Sequence, residues 1–334
     1  MGPAATLRVA VVGAGTMGRI HAQSVLASPR AKLAGIVESD PGRRRMAEEF
    51  QAPGFAALGD LDRDQFDAVV IAVPTDSHSA LTVAAAAMGK HVLVEKPMAR
   101  SLEEARAMAD AHRRAGTRLL VGQVVRYFPE YVQAREAVRR GDVGRPAVIR
   151  TFRGGPYPQG SGDWYGDTAR SGGLFLDLLI HDLDFLAWTF GSPEEVSARI
   201  QTVDGRPRHA VALLQLPGRI LAEMTGSWLY PRFHTRFEIA GSTGILTHHS
   251  LERATVLVEA AGGDRPAVAV PMSPSHRSPY QEEMDDFVGG ILDERPFRVT
   301  VDDAVAAVRL ALWADAAAAA GTSIQDAAFP GGAS

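Results

Sequence analysis

A repeated alternation of short apolar runs and longer helical stretches restricts the fold of this chain more than any other feature. The apolar runs are LRVAVV (7–12), KLAGIV (32–37), DAVVIAV (67–73), HVLVE (91–95) and RLLVG (118–122). Each run is nearly continuous rather than alternating with polar residues, which is typical of strands buried on both faces of a parallel sheet. The repeat therefore predicts a doubly wound α/β sheet with right-handed crossovers.

Helix signals fill the spaces between these runs. Helices are expected at 16–27 behind a glycine-rich turn, at 77–88 behind Thr-Asp, and at 101–115 behind Ser-Leu-Glu-Glu, a capping box. Gly89 and Gly116 follow the last two stretches, as expected of residues that end helices. The sequence thus marks where these helices begin and end.

The pattern changes after about residue 123. A helix is expected at 130–140, a strand at 147–152 and a helix at 174–190. Further strand-like runs follow at 196–203, 210–216, 219–228, 236–241 and 245–249, with an Ala-rich helix near 301–320. Consecutive strands with short turns predict an α+β domain with a large open, mostly antiparallel sheet. We expect this second domain to span 124–334, with a last helix able to pack back toward the first domain, 1–123.

Charge and composition exclude several classes of protein. The 35 Lys and Arg stand against 39 Asp and Glu, a net charge of −4, whereas nucleic-acid binders usually show a strong basic bias. No apolar run reaches the roughly 20 residues of a membrane span, and the first residues lack the pattern of a secretory signal. The absence of cysteine fits a reducing compartment. We therefore expect a cytoplasmic protein with neither nucleic acid nor membrane as a partner.

The turn after the first apolar run carries the motif Gly13-Ala-Gly15-Thr16-Met17-Gly18. Gly13 permits a tight turn, Gly15 lets the backbone approach a pyrophosphate, and Gly18 allows the helix to pack close to the strand. The free N–H groups at the start of that helix attract phosphate. Because the motif lies between a predicted strand and a predicted helix, it indicates a dinucleotide site in a Rossmann domain.

An acidic residue, Glu38, ends the second apolar run twenty positions after Gly18. A carboxylate at this place can accept hydrogen bonds from the adenosine ribose hydroxyls and repels a 2′-phosphate. NAD is therefore favoured as the cofactor. Ser39 and Arg43 are close enough in sequence to keep NADP open as an alternative.

Later strand ends belong to the same crevice, because ligands of a doubly wound sheet bind outside the carboxyl ends of its strands. The further candidates for cofactor binding are Ala72, Pro74, Thr75, His78, Glu95, Lys96 and Gln123. For His78, a cofactor contact and an ordinary place on a helix surface are equally open.

Three of these segments, GAGTMG, AVPTDSH and VEKP, occur in the order found in the Gfo/Idh/MocA family of oxidoreductases. SGGLFLDLLIHDLDFLAWTFG (171–191) resembles a further signature of that family, and VGQVVRYFPEY (121–131) is similar to its inositol-dehydrogenase-like members. The resemblance covers nearly the whole chain. It implies a soluble enzyme that moves a hydride between NAD(P) and a secondary alcohol or ketone of a sugar, inositol or related polyhydroxy compound. It also implies roles for Lys96, Asp177 and His181.

Asp177 and His181 are four residues apart, so on an α-helix they share one face, with Cβ atoms about 5–6 Å apart. Asp184 falls on that face too, whereas Asp182 points away. Polar side chains in such an apolar helix need partners or a cavity. A self-contained His–Asp pair stays open as an alternative. A metal site of Asp177, His181 and Asp184 is chemically conceivable, but no second His lies at ligand spacing, and we expect no metal.

Oxidation of an alcohol needs a base for the hydroxyl proton and charge stabilisation at the oxygen, besides the nicotinamide. His181 suits the base, since the ordinary pKa of histidine, about 6.5, lies near the working pH. Lys96 can donate to the substrate oxygen, and Asp177 can hold a neighbouring hydroxyl. Other candidates for substrate contacts are Arg126, Tyr127, Arg153, Trp164, Tyr165 and Arg170.

A second hypothesis, from another class, is a dinucleotide-binding sensor that uses the fold without turnover. A sensor has no need to keep Lys96, Asp177 and His181 together, so their joint presence favours the enzyme.

The expected partner is a second copy of the chain. The runs AVALLQL and RILAEM carry apolar residues at both odd and even positions, and so on both faces of their strands. The open face of the second sheet is therefore expected to meet another subunit, in a homodimer or homotetramer.

Overall fold

The computed structural model describes residues 5–252, 256–260, 268–270 and 277–330. The strands are β1 (Leu7–Val12), β2 (Ala31–Val37), β3 (Gly54–Phe55), β4 (Ala68–Ile71), β5 (His91–Glu95), β6 (Leu119–Gly122), β7 (Pro146–Gly154), β8 (Glu195–Val203), β9 (Arg206–Leu216), β10 (Ile220–Ser227), β11 (His234–Gly241), β12 (Gly244–His249), β13 (Val256–Ala260), β14 (Val268–Val270) and β15 (Ile324–Gln325). The helices are α1 (Thr16–Ala27), α2 (Pro41–Arg44), α3 (Met46–Glu49), α4 (His78–Ala87), α5 (Leu102–Ala115), α6 (Pro129–Arg140), α7 (Thr168–Ser171), α8 (Ile180–Phe190), α9 (Pro279–Leu292) and α10 (Val301–Ala320).

Contacts divide the chain into two compact units. The first comprises Met1–Tyr127 and Arg277–Val305, and the second comprises Phe128–His276 and Ala306–Ser334. None of the helices within the described ranges combines the length and the apolar character that crossing a membrane requires.

The first unit contains a parallel sheet with the strand order β3-β2-β1-β4-β5-β6. The order reverses between β1 and β4, which creates a crevice at the carboxyl ends of these strands. All residues of β4 and β6 are buried, and this explains why their sequences are continuously apolar. The predicted doubly wound sheet is confirmed.

Helix α9 has no counterpart among the predicted elements, because acidic residues and a Gly-Gly pair obscure its apolar period. Its Met284 and Phe287 are nevertheless fully buried, in one apolar cluster with residues of β1 and β4. This packing explains why 277–305 belongs to the first unit, although the sequence pattern places that segment in the second domain.

The second unit contains a mixed sheet with the order β14-β13-β12-β11-β7-β10-β9-β8-β15. Strands β7 and β10 pair in parallel, and the other pairs run antiparallel. The prediction of a large, mostly antiparallel sheet is confirmed. Strands β3, β13, β14 and β15 lie outside the predicted runs, and β3 and β15 are only two residues long.

The side chains of strand β9 show which face of the second sheet is buried and which is exposed. The even-numbered residues of 210–216 are buried, whereas Val211 and Leu213 are 40% and 45% exposed. Successive side chains of a strand point to opposite faces. On the buried face Leu179 lies against Gly226 of β10, where an added Cβ would come within 2.6 Å of the leucine. Because Gly226 has no side chain, the segment that carries Asp177 can pack closely against this face.

Candidate active site

The glycine turn between β1 and α1 is built by close backbone approach. Gly13 has a φ of +103°, and a Cβ on it would lie 2.2 Å from the carbonyl oxygen of Ala72. A Cβ on Gly18 would lie 1.9 Å from the oxygen of Gly13. Around Gly15, by contrast, no atom of the described residues beyond its chain neighbours lies within 4 Å of the Cβ position. The backbone is therefore tightly packed at Gly13 and Gly18, and it is accessible at Gly15, where a pyrophosphate would approach.

The first turn of α1 suits an anion. Thr16 is exposed and Met17 is partly exposed there. This turn has no acidic residue, and no side chain caps it. Its N–H groups and the positive end of the helix dipole are therefore directed to the place where the phosphates of a dinucleotide would bind.

Glu38 follows β2 and is held against the glycine turn. Its Oε2 accepts a hydrogen bond from the backbone N–H of Ala14 at 3.0 Å. Its Oε1 accepts from the backbone N–H of Asp40 and from the guanidinium of Arg43, each at 3.0 Å. A carboxylate has about four acceptor positions, so Oε2 can take a further donor such as a ribose hydroxyl. Because Arg43 is paired with Glu38, it is less able to bind a 2′-phosphate.

The carboxylate of Glu95 fixes the end of β5. Glu95 is 7% exposed, and it accepts hydrogen bonds from His21 Nε2 at 2.7 Å and from the backbone N–H of Lys96 at 3.1 Å. Burial opposes its ionisation, but the hydrogen bond and charge of His21, together with other nearby cations, bring the pKa of Glu95 below its ordinary value. An ionised Glu95 therefore anchors the backbone from which Lys96 extends.

His21 was missed by the sequence reasoning. It is fully buried, and with Gly18, Ala22 and Val25 it forms the stripe of α1 that is packed against the unit's core. A histidine on such an apolar stripe is a signal in itself, because a buried polar group needs a partner. The partner, Glu95, is 74 positions away in the sequence, and only the fold brings it near.

His78 begins α4 but is only 1% exposed, so it does not lie on a helix surface. Its Nδ1 is 2.8 Å from the carbonyl oxygen of Pro97, and its Nε2 is 2.9 Å from that of Val73. Burial lowers the pKa of the ring, although the two carbonyl oxygens act in the opposite direction. His78 thus joins the loop after β4, which carries Pro74 and Thr75, to the loop after β5.

Two buried polar side chains lie near the same sheet edge. Gln123 directly follows β6, whose Gly122 pairs with Glu95, and Glu283 lies in α9. Neither Gln123 nor Glu283 is exposed, and no partner for the Gln123 amide or the Glu283 carboxyl is found in the described part of the chain. Burial, and after it the charges of Glu95 and Asp286, raise the pKa of Glu283 well above its ordinary value. Its surroundings therefore favour the protonated form of Glu283.

In the second unit, Asp177 lies in a π-helical turn, Phe175–Leu179, and not in a continuous α-helix. The turn follows Gly172 and Gly173, which both have left-handed φ angles. A π-turn has i→i+5 hydrogen bonds and holds more residues than an α-helical turn. The helix predicted over 174–190 thus begins with a π-helical turn, so the α-helical geometry expected for Asp177 and His181 does not apply to its first part. Such turns frequently occur at functional sites.

A small cavity lies beside Asp177. Its lining includes Tyr157, Tyr165 and Trp228 as well as Asp177 itself. Trp164 stacks on Tyr165, with ring centroids 4.0 Å apart. Aromatic walls with a few polar groups are typical of small-molecule sites. His181, in the first turn of α8, is partly exposed.

Two arginines that were predicted to contact substrate are buried and form ion pairs. Arg153 is 5% exposed, and it donates to Asp182 at 2.6 Å and to the hydroxyl of Tyr131 at 3.0 Å. Arg126 is 3% exposed and lies 3.0 Å from Asp303. Removal of Asp182 would cost about 3–5 kcal/mol, because the Arg153 charge would be left buried. The structure thus gives both arginines a role in holding their own unit together.

The remaining candidates are placed as follows. Tyr127 is 1% exposed and donates to Asp286 at 2.8 Å. Arg170 is partly exposed in α7, and Asp184 is buried in α8. Within the described ranges, no group of three or more His, Asp or Glu side chains could hold a metal ion.

Comparison with known proteins concerns both units. Residues 7–123 match the model described as the oxidoreductase family with an NAD-binding Rossmann fold, and residues 131–247 match the GFO/IDH/MocA C-terminal domain. Myo-inositol 2-dehydrogenase of Thermotoga maritima is 30% identical over 321 residues, which cover 91% of this chain and 94% of that protein. The chain belongs to the GFO/IDH/MocA family of oxidoreductases.

Other members of the GFO/IDH/MocA family are similarly related. The scyllo-inositol 2-dehydrogenase (NAD(+)) of Bacillus subtilis is 28% identical over 281 residues, 77% of this chain and 78% of that protein. The crystal structure of GenD2 from gentamicin A biosynthesis, in complex with NAD, superposes with a TM-score of 0.85 at 28% identity and covers 96% of both chains. The family resemblance, the oxidoreductase class and the NAD-binding fold expected from the motifs are confirmed.

The contacts of Glu38 lead to a prediction about cofactor choice. Glu38→Ser removes the ribose acceptor and releases Arg43 toward a 2′-phosphate. A hydrogen bond to a charged group contributes about 1.5–3 kcal/mol, so NADH affinity should fall about ten- to hundredfold while NADPH affinity rises. Fluorescence titration with both cofactors measures the change. Glu49→Ser, at the exposed ion pair with Arg19, is the matched control, and an unchanged preference in Glu38→Ser would contradict the assignment.

The burial of Glu283 leads to a prediction about stability and pH. The folded protein holds the Glu283 proton to a higher pH than the unfolded chain, which releases it near the ordinary pKa of 4.5. The stability associated with this group is therefore complete below that pH and is lost as the pH rises toward the raised folded value. Relative to wild type, Glu283→Gln should gain unfolding free energy as the pH rises above 4.5, by up to about 1.4 kcal/mol per pH unit.

Urea unfolding at several pH values measures this difference. Glu282→Gln changes the partly exposed neighbour in the same helix and serves as the control. Parallel pH profiles for wild type and Glu283→Gln would show that Glu283 is ionised in the folded protein.

Proposed function

We propose that this protein is an NAD-dependent dehydrogenase or reductase that acts on a secondary alcohol or ketone of a sugar, inositol or related polyhydroxy compound. The observation that carries the proposal is the joint presence of Lys96, directly after the Glu95 anchor, with Asp177 and His181 around the π-turn. The matched myo-inositol and scyllo-inositol dehydrogenases, at 30% and 28% identity, support this class of substrate.

The three side chains can divide the work of alcohol oxidation. NAD, when bound, supplies the acceptor for the hydride. His181 takes the hydroxyl proton, because a neutral imidazole is a suitable base near neutral pH. Lys96 donates a hydrogen bond to the same oxygen and favours its anionic form. Asp177 accepts from a neighbouring hydroxyl and keeps the substrate in register with His181. In the reductive direction the proton returns from His181 to the oxygen.

The cofactor part of the proposal is supported by the first unit. The residues proposed to bind NAD are Gly13, Gly15, Thr16, Met17, Gly18, Glu38, Ala72, Pro74, Thr75, His78, Glu95, Lys96 and Gln123. Of these, Gly15 and Glu38 have space or acceptor capacity for a ligand, while Glu95, His78 and Gln123 are buried and would act by shaping the crevice.

The alternative of a sensor without turnover has weaker support. Neither matched unit belongs to a family model described as regulatory, and the named relatives are dehydrogenases. The retention of Lys96, Asp177 and His181 has no purpose in a pure sensor. If none of the polyols tested were turned over, the sensor alternative would be favoured.

Replacement of His181 tests the proposed chemistry. Loss of a general base lowers turnover by about 10²–10⁴-fold, so His181→Ala should lose activity with NAD and an inositol or sugar while NADH binding, measured by fluorescence, is retained. His249→Ala, at a partly exposed histidine of β12, is the matched control. Full activity of His181→Ala would make the proposed base wrong, and loss of NADH binding would indicate a structural role.

We further propose a cytoplasmic homodimer or homotetramer assembled through the exposed face of the second sheet. Val211 and Leu213 lie there with 40% and 45% exposure, and an apolar patch on a sheet face is typical of a subunit interface. Sedimentation should therefore find an oligomer at micromolar concentration, and Leu213→Asp should dissociate it. A charge-preserving control, Arg199→Lys, alters an exposed residue of β8. A monomeric wild type would contradict the proposal.

A further inference from the structure

Two arginines of β9 lie over one tyrosine ring. The guanidinium carbons of Arg206 and Arg208 are 5.5 Å and 3.9 Å from the ring centroid of Tyr157. The register of β9 with β8 shifts at this point, from His209 opposite Gln201 to Pro207 opposite Thr202, which leaves Arg208 in a β-bulge.

This end of β9 borders the cavity beside Asp177. Tyr157, Trp228 and Asp177 all line that cavity. Trp228 also donates its backbone N–H to the carbonyl oxygen of Arg208 at 2.7 Å. The Arg208 guanidinium therefore packs on Tyr157 at the border of the cavity, whose lining includes Asp177 and Pro207.

The two arginines differ in their counter-charge. Arg206 forms an ion pair with Asp163 at 2.6 Å. For Arg208, no ion pair with a carboxylate and no hydrogen bond from the guanidinium occurs among the described residues. Arg208 is only partly exposed, so its charge has neither full hydration nor an acidic partner. The cation–π contact with Tyr157 holds the group in place without using its N–H donors.

We propose that Arg208, held by Tyr157, binds an oxyanion substituent of the substrate, a carboxylate or a phosphate. The planar guanidinium can donate two parallel hydrogen bonds to the oxygens of such a group. Asp177, in the neighbouring cavity, suits a hydroxyl, so the proposed subsite and the cavity recognise groups of opposite character. The inference rests on the proposed function and deepens it, because it selects sugar acids or sugar phosphates over neutral polyols.

Matched substrates test the subsite. Oxidation with NAD is compared for glucose, glucuronate and a glucose phosphate, and for myo-inositol and an inositol phosphate. Since hydrogen bonds to charged groups are strong, wild-type kcat/KM should be about tenfold or more higher for one kind of anion than for its neutral parent. The anion that gains tells whether a carboxylate or a phosphate is recognised.

Variants of the two arginines test whether Arg208 causes the preference for the anionic substrate. In Arg208→Gln the ratio of kcat/KM between the anionic and the neutral substrate should fall to about one, through KM rather than kcat. Arg208→Lys should retain part of the ratio, because it keeps the charge but loses the bidentate geometry. Arg206→Gln is the matched control and should retain the full ratio, because Asp163 already neutralises Arg206.

A binding measurement separates this inference from the proposed function. Thermal stabilisation by the same acids and phosphates is measured with NADH present, for wild type and for Arg208→Gln. If no anion is preferred and both proteins are stabilised equally, the subsite does not exist, and the dehydrogenase proposal stands as long as any polyol is oxidised. If nothing is oxidised but Arg208-dependent stabilisation persists, the subsite stands and the dehydrogenase proposal fails.

Discussion

The cofactor end of this protein depends on how closely one glycine turn approaches the neighbouring strand. Gly13 lies against the carbonyl of Ala72, and Gly18 lies against Gly13, so α1 begins within backbone contact of the turn. A side chain at either position would push α1 away. Because α1 also carries His21, the same approach decides whether His21 reaches Glu95. The shape of the glycine turn and the His21–Glu95 contact beside Lys96 therefore both depend on the absence of a Cβ atom from Gly13 and Gly18.

Buried charges hold both units in the shapes that the proposed chemistry requires. Glu95 is stabilised as a carboxylate by His21, and Arg153 is paired with Asp182. A buried charge without a partner is costly, so each of these groups permits few arrangements of the chain around it. Arg153 shows why residue type alone misleads. An arginine close in sequence to a substrate loop is attractive as a ligand for polyols, but the structure uses it to neutralise an aspartate in the core.

Strand β9 links the two kinds of recognition proposed for the second unit. Its residues Val211 and Leu213 are directed outward, and the bulge near its start places Arg206 and Arg208 beside Tyr157. Beyond the bulge, a period of two separates the exposed apolar side chains from the buried ones. A shift of one residue in the pairing of β9 would exchange the faces. The register with β10, in which Ala210 lies opposite Gly226, prevents it.

The sequence by itself determined the parallel sheet, the glycine turn, Glu38 at the end of β2, and the ends of helices such as α1 and α5. These features follow from local rules, because periodicity, capping residues and glycines act over a few positions. Tertiary structure alone decided that α9 packs into the first unit, that His21 meets Glu95 and that Arg126 and Arg153 are paired. It also decided that Asp177 lies in a π-turn rather than on a regular helix. The physical reason is common to all of these: each depends on partners distant in the sequence, and the cost of burying a polar or charged group cannot be assigned until the fold supplies its partner.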